Sequence, residues 1–261
     1  MKATINEMNF VPDLLFDLGM HRGYDTKFYL DKGFRVIGLE ANPEMVDSAR
    51  ATFAQAISDS KLIVVDRALW SVDNVSVPFF LNPVKDDWSS AFKGWAEKGG
   101  HQTTEICVRT ITLGRLFEYY GIPYYIKCDV EGADEIFVRQ LVADRRRPPF
   151  VSIEATSLDA LALLYSAGYD RVQIINQALN AFVKPPNPPR EGGFVPMQFH
   201  GHMSGLFGLE LDPDRWIDFA SAADRYLRFR QLSAKDELLA HGWLDFHVTN
   251  SEVLSHMKAR R

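Results

Sequence analysis

Cysteine is scarce in this sequence: Cys107 and Cys128 are the whole supply in 261 residues. Neither has the spacing of a metal ligand, which argues against a disulfide scaffold or a zinc site and fits a reducing, cytoplasmic setting. Long apolar runs are missing too. No stretch reaches the roughly 18 apolar residues of a membrane span, and the opening "MKATINEMNFVPDLLF" lacks the apolar run of a secretory signal. There is no excess of basic residues. The 29 Lys and Arg are outnumbered by 34 Asp and Glu, for a net charge of −5, so no polyanion such as nucleic acid is expected as a partner. The triplet Arg145, Arg146 and Arg147 reads as the solvated end of a helix. No internal repeat occurs, and the proline-rich run 183–194 is the sole biased tract.

What the chain does have is enough apolar residues, 46%, to fill a core, arranged in an alternating rhythm. Apolar β-rich runs at 14–19, 35–42, 61–70, 124–130, 150–155 and 170–176 are separated by helix-like runs at 24–32, 43–57, 113–120, 132–143 and 158–167. Pro43 suits a first helical position, and Gly121 and Gly168 suit helix ends. Further strands are expected at 76–82 and 106–112, around a polar, glycine-rich excursion at 82–104. After 176 the rhythm breaks into the proline run and "MQFHGHMSGLFG". A helical stretch at 214–241 and a last strand at 243–250 close the chain. Strands alternating with helices predict a Rossmann-like α/β fold: a central, mostly parallel, seven-stranded sheet with helices on both faces and loop insertions. The whole chain, 1–261, reads as one domain, with a cofactor-binding core over 13–176 and acceptor-side elements over 177–261. Ligands of such sheets sit beyond the carboxyl ends of the strands, where strand order reverses.

Those strand ends carry the candidates. The first ends "FDLGMHRGYDT", with Asp17, Gly19, His21 and Gly23. A dinucleotide site would place a glycine at position 17. The acid there disfavours a pyrophosphate and favours a ligand with a cationic group. The second ends in Glu40, Ala41 and Asn42. Glu40 follows Asp17 by one strand–helix–strand step and is placed to accept from both hydroxyls of a ribose. At the end of the third, Asp66, Arg67 and Ala68 either border an adenine ring or form a surface turn. A nucleoside bearing a positive group is therefore expected, and S-adenosylmethionine has that chemistry.

The fourth strand ends "YYIKCDVEGAD". If extension continues past it, Lys127, Asp129 and Glu131 share a face, and buried charges there must be paired or used. Lys127 and Asp129 are candidates for the reaction. His200 and His202, or alternatively Asp129, are candidates for a general base. Glu154, at the end of the fifth strand, is expected beside Asp129 and Glu131, and the three carboxylates offer a site for Mg²⁺. The excursion's Trp88, Phe92 and Trp95 either anchor it to the core or present flat faces to an acceptor.

"FDLGMHRGYDT", "VIGLEANPEM", "VDRALW" and "YYIKCDVEGADEIFVRQL" together resemble the FkbM family of S-adenosylmethionine-dependent methyltransferases over about residues 13–155. Met20 and His21 stand where that family has Ala and Asn, and Asp134 stands where it has Glu. The resemblance implies a class I methyltransferase fold and O-methylation of a small hydroxylated acceptor, a carbohydrate or secondary metabolite. A nicotinamide-dependent oxidoreductase and a non-catalytic interaction module that keeps the cofactor fold are the rival readings. A homo-oligomer is compatible with all three.

Overall fold

The computed structural model describes residues 9–236 and 240–259. The opening stretch read for a secretory signal lies partly outside them, as do residues 237–239 of the helical stretch expected over 214–241.

The sheet forms as the strand pattern predicts. Strands β1 (Val11–Leu18), β2 (Arg35–Glu40) and β3 (Leu62–Asp66) lie on one side, and β7 (Pro123–Cys128), β8 (Phe150–Glu154), β10 (Leu244–Thr249) and β9 (Arg171–Asn176) on the other. Their order is β3-β2-β1-β7-β8-β10-β9. Every pairing from β3 through β8 is parallel, and β10 runs antiparallel between β8 and β9. The chain leaves β1 towards β2 and later returns to β7 on the opposite side, so strand order reverses between β1 and β7 and opens a crevice there.

Side-chain alternation sorts the core into two layers. Leu14, Phe16, Leu18, Ile126 and Ile153 face helices α5 (Leu113–Tyr120), α6 (Asp134–Ala143), α7 (Leu158–Ser166) and α8 (Phe219–Ser233). Leu15, Val36 and Tyr125 face α1 (Tyr24–Asp31) and α2 (Pro43–Thr52). Phe199, Met203 and Phe207, from the irregular segment after β9, pack on that same face. A buried ion pair between Lys32 and Glu210, 2.7 Å, fastens the segment to the end of α1. Side-chain caps start several helices: Asn42 accepts from the Glu44 amide before Pro43 opens α2, and Ser157 accepts from the Ala160 amide before α7.

Three boundaries differ from the sequence expectation. The run 61–70 is not one strand. It breaks at Arg67, and Ala68–Leu69 (β4) leaves the main sheet to join β6 (Thr104–Ile111) and β5 (Ser76–Leu81) in a separate three-stranded sheet. The helix expected over 43–57 divides at Phe53, whose φ of −107° is not helical, leaving a short α3 (Ala54–Ser58). Extension stops at Cys128: Glu131 has φ +45° and Gly132 φ +93°, so the exit from β7 turns sharply before α6.

Candidate active site

Beyond the carboxyl ends of β1, β2, β7 and β8 lies a crevice of about 410 Å³, within the range of small-molecule sites. Its floor is set by strand parity. Asp17 and Lys127 are register partners on adjacent parallel strands, so both side chains fall on the face covered by α1. Lys127 Nζ lies 3.1 Å from Asp17 Oδ1 and donates to the Gly19 carbonyl at 2.8 Å. Its distance to both Asp25 and Asp129 is 3.9 Å. Thr26 donates to the other Asp17 oxygen at 2.6 Å. Burial alone would lower the Lys127 pKa, but Asp17, Asp129 and Asp25 outweigh it and hold it above the ordinary lysine value. Lys127 is therefore a fixed cation and cannot take a proton near neutral pH.

Gly19 is required by close approach. A Cβ there would stand 1.8 Å from the Asp129 carbonyl oxygen, and its φ is +79°, so no larger residue lets the β1 and β7 exits cross. The next residues bind Glu40. His21 N–H donates to Glu40 Oε2 at 2.7 Å, while Ala41 and Asn42 N–H donate to Oε1 at 2.9 and 2.8 Å. Burial raises the Glu40 pKa and these donors pull against it, leaving it above the usual value. A carboxylate offers about four acceptor positions, so one remains on Oε2. His21, like Glu131, is a non-glycine residue in the left-handed region, with φ +48°. Strain of this kind concentrates at functional sites.

The excursion closes over the crevice. Asp86 pairs with His21 Nε2 at 3.2 Å and with Arg22. Trp88 lines the interior. Trp95 donates its indole N–H to Glu131, and Lys98 lies 3.7 Å from the same carboxylate. Phe92 packs on Trp70, with centroids 5.4 Å apart. Trp95 and Phe92 thus anchor the excursion, and Trp88 lines the crevice. Burial and the nearby Asp129 raise the Glu131 pKa.

Gly19, His21, Glu40, Ala41, Ala68, Lys127, Asp129 and His202 all come together in the crevice lining, with Glu131 and Glu154 beside them. Five expected residues stay out of it. Asp17 is buried beneath, in the Lys127 pair. The missing Cβ of Gly23 faces Phe53, Asn42 caps α2, and Asp66 is turned towards Arg50 at 3.9 Å. His200 packs edge-on against Tyr24, 4.7 Å between centroids, and burial together with His202 lowers its pKa. The Mg²⁺ expectation is corrected: among the described residues, no group of three His, Cys, Asp or Glu side chains could hold a metal ion. Glu131 is committed to Trp95 and Lys98 instead.

Other lining residues escaped the sequence reading. Asp86 and Lys98 carry no strand-end signal, and Arg22 lies in the β1 exit between His21 and Gly23. Gln177 follows β9, and Trp243 precedes β10. Because β10 runs antiparallel, its beginning, not its end, lies at the crevice, so a search of carboxyl ends passes Trp243 by.

The sequence pattern of the methyltransferase FkbM domain matches residues 17–170. No curated protein matches the chain. Among solved structures, one similar chain is the precorrin-6y C5,15-methyltransferase of Geobacter metallireducens GS-15. It is 15% identical with a TM-score of 0.37, over 66% of this chain and 71% of that one. Another is a putative methyltransferase from an antibiotic biosynthesis pathway of Anabaena variabilis ATCC 29413, 10% identical with a TM-score of 0.33, over 94% of each chain. Scores this low say nothing about what this chain binds.

Proposed function

The chain belongs to the FkbM family of methyltransferases, and we propose that it is an S-adenosylmethionine-dependent O-methyltransferase acting on a hydroxyl of a small carbohydrate or secondary-metabolite acceptor. The observation that carries the reading is the Glu40 carboxylate. It ends β2, the strand beside β1 at the strand-order reversal, is fixed by three backbone N–H groups, and keeps one acceptor position for a ribose hydroxyl. Leu39, Ala68 and Leu69 give an apolar wall suited to adenine. Asp129, partly exposed above Lys127, provides the negative charge a cationic tail would meet.

When bound, S-adenosylmethionine supplies a methyl group on a cationic sulfur. The residues of this chain then have three tasks. Glu40 and the Gly19–Arg22 turn hold the nucleoside. Lys127 and its three carboxylates keep the β1 and β7 exits in fixed relation, and fixed relation is what in-line transfer needs; positioning of this kind can supply several kcal/mol of a barrier. Trp88 and Trp243 offer flat faces to an acceptor ring, and His202, exposed at the rim, is placed to orient it. The test is an untargeted mass search for a product heavier by CH₂ after incubation with S-adenosylmethionine and an extract of the source cell. A methyl ether supports the reading. A product methylated at carbon or nitrogen overturns the O-methyl part of it.

A further inference from the structure

Resting on the methyl-transfer reading, we propose that Glu154 is the general base that takes the proton of the acceptor's reacting hydroxyl. Sheet order divides the crevice. Gly19, Glu40, Ala41 and Ala68 come from the β1, β2 and β4 side, while Glu154, Gln177 and Trp243 come from the β8, β9 and β10 side. Asp129, from the β7 exit, stands between them. If the nucleoside lies on the Glu40 side, the acceptor is left the Glu154 side.

Most carboxylates in the lining are already engaged. Glu40 accepts three backbone N–H groups, and Asp25 accepts the Ser204 N–H at 3.1 and 3.0 Å. Asp86 is held by His21 and Arg22, Glu131 by Trp95 and Lys98, and Asp129 faces Lys127. The Glu154 side chain lines the crevice with no hydrogen bond or ion pair among the described residues, so both carboxylate oxygens are free for an acceptor. Asp87 shares that freedom, but it sits on the excursion, as His202 sits on a loop. Glu154 ends a core strand held in register on both sides, by β7 and by β10, and reacting groups on strands are placed more accurately than those on loops. Its register partner Asp245 does not compete, since Gln177 Nε2 donates to both Asp245 oxygens at 2.7 and 2.8 Å.

Basicity agrees with the geometry. Burial, then Asp129 and Asp134, push the Glu154 pKa up to about 7 against the pull of Lys98. Glu131, Asp245 and Tyr226 also face it electrostatically. A base is most effective with a pKa near the working pH. In the step, the acceptor's O–H bond breaks and its proton passes to a Glu154 oxygen. The electron pair left on the acceptor oxygen forms the new O–C bond, and the C–S bond breaks with its pair remaining on sulfur. A methyl ether, a neutral thioether and a protonated Glu154 result, and the open mouth lets the proton go to solvent.

The test compares the wild-type protein with Glu154→Gln. Three readouts are taken: calorimetric binding of S-adenosylhomocysteine, transfer of tritiated methyl from S-adenosylmethionine to a small-molecule extract, and titration of the Glu154 side-chain carbon by ¹³C NMR, assigned by its loss in the variant. Expected are S-adenosylhomocysteine binding within twofold of wild type, transfer slowed about 100-fold or more, and an NMR midpoint near neutrality. Unchanged binding with transfer within threefold of wild type overturns the base assignment and leaves the methyltransferase reading standing. Failure of the wild-type protein to bind S-adenosylhomocysteine overturns that reading instead. If no extract component accepts label, the NMR midpoint decides: a value in the ordinary glutamate range overturns the assignment.

Discussion

Replacing Lys127 by methionine keeps the volume of the side chain but removes the charge that three carboxylates share. At an effective dielectric of about 20, the attraction to Asp17 at 3.1 Å is about 5 kcal/mol and that to Asp25 or Asp129 at 3.9 Å about 4 kcal/mol each. Most of this is offset by the cost of burying the groups. Removing one partner of a buried pair nevertheless typically costs about 3–5 kcal/mol, because the other charge is left uncompensated. In a chain of this size that lowers Tm by roughly 10 °C. The loss has a direction in pH. Burial already raises the Asp25 pKa to about 7 against the pull of Lys127, and loss of the cation lets it rise further above its unfolded value. Its contribution is then present at low pH and lost as pH rises through the folded value. Lys127→Met should therefore be much less stable than wild type at pH 8 and close to it at pH 5, measured by urea unfolding at both. A deficit below about 1 kcal/mol, or one that does not change with pH, would refute the picture of Lys127 as an ion-pair hub.

Substitutions at three further positions report on separate parts of the structure. Glu40→Ala should weaken S-adenosylhomocysteine binding about 10- to 100-fold by calorimetry, the worth of a hydrogen bond to a charged acceptor, while Glu40→Gln should lose less. Glu191, which receives the Tyr124 hydroxyl, has its pKa raised by burial to about 8. A raised carboxyl stabilises below its unfolded pKa and ceases to as pH climbs through 8, so Glu191→Gln should gain up to about 4–5 kcal/mol over wild type at pH 8.5 and under about 1 kcal/mol at pH 5. Gly19→Ala should abolish S-adenosylhomocysteine binding and lower Tm, since its methyl group would overlap the Asp129 carbonyl; a binding-competent variant would show that the β1 and β7 exits can separate.

The sheet was legible because buried parallel strands write themselves as short apolar runs, and the fourth and fifth runs did prove to be neighbours, bringing Glu154 beside Asp129 and Glu131. The division at Arg67 was not legible. "KLIVVDRALW" is apolar on both sides of Asp66 and Arg67, and nothing local shows that Ala68–Leu69 will pair with β6, about forty residues away. Parity explains the site in the same way. Asp17 looks like a ligand-facing acid when β1 is read alone. Only the register of β1 on β7 reveals that it lies beside Lys127 beneath the floor. Glu131 was placed on the Lys127 face by assuming extension, and a left-handed turn at that residue sends its carboxylate to Trp95. Trp243 required the reversed direction of β10, which no single strand discloses.

The most direct measurement is a side-by-side calorimetric titration of the protein with S-adenosylhomocysteine and with NAD. The expected result is one S-adenosylhomocysteine per chain, weakened by Glu40→Ala, with no heat from NAD. Binding of NAD in place of S-adenosylhomocysteine, or affinity for S-adenosylhomocysteine that Glu40→Ala leaves untouched, would contradict the assignment of the crevice.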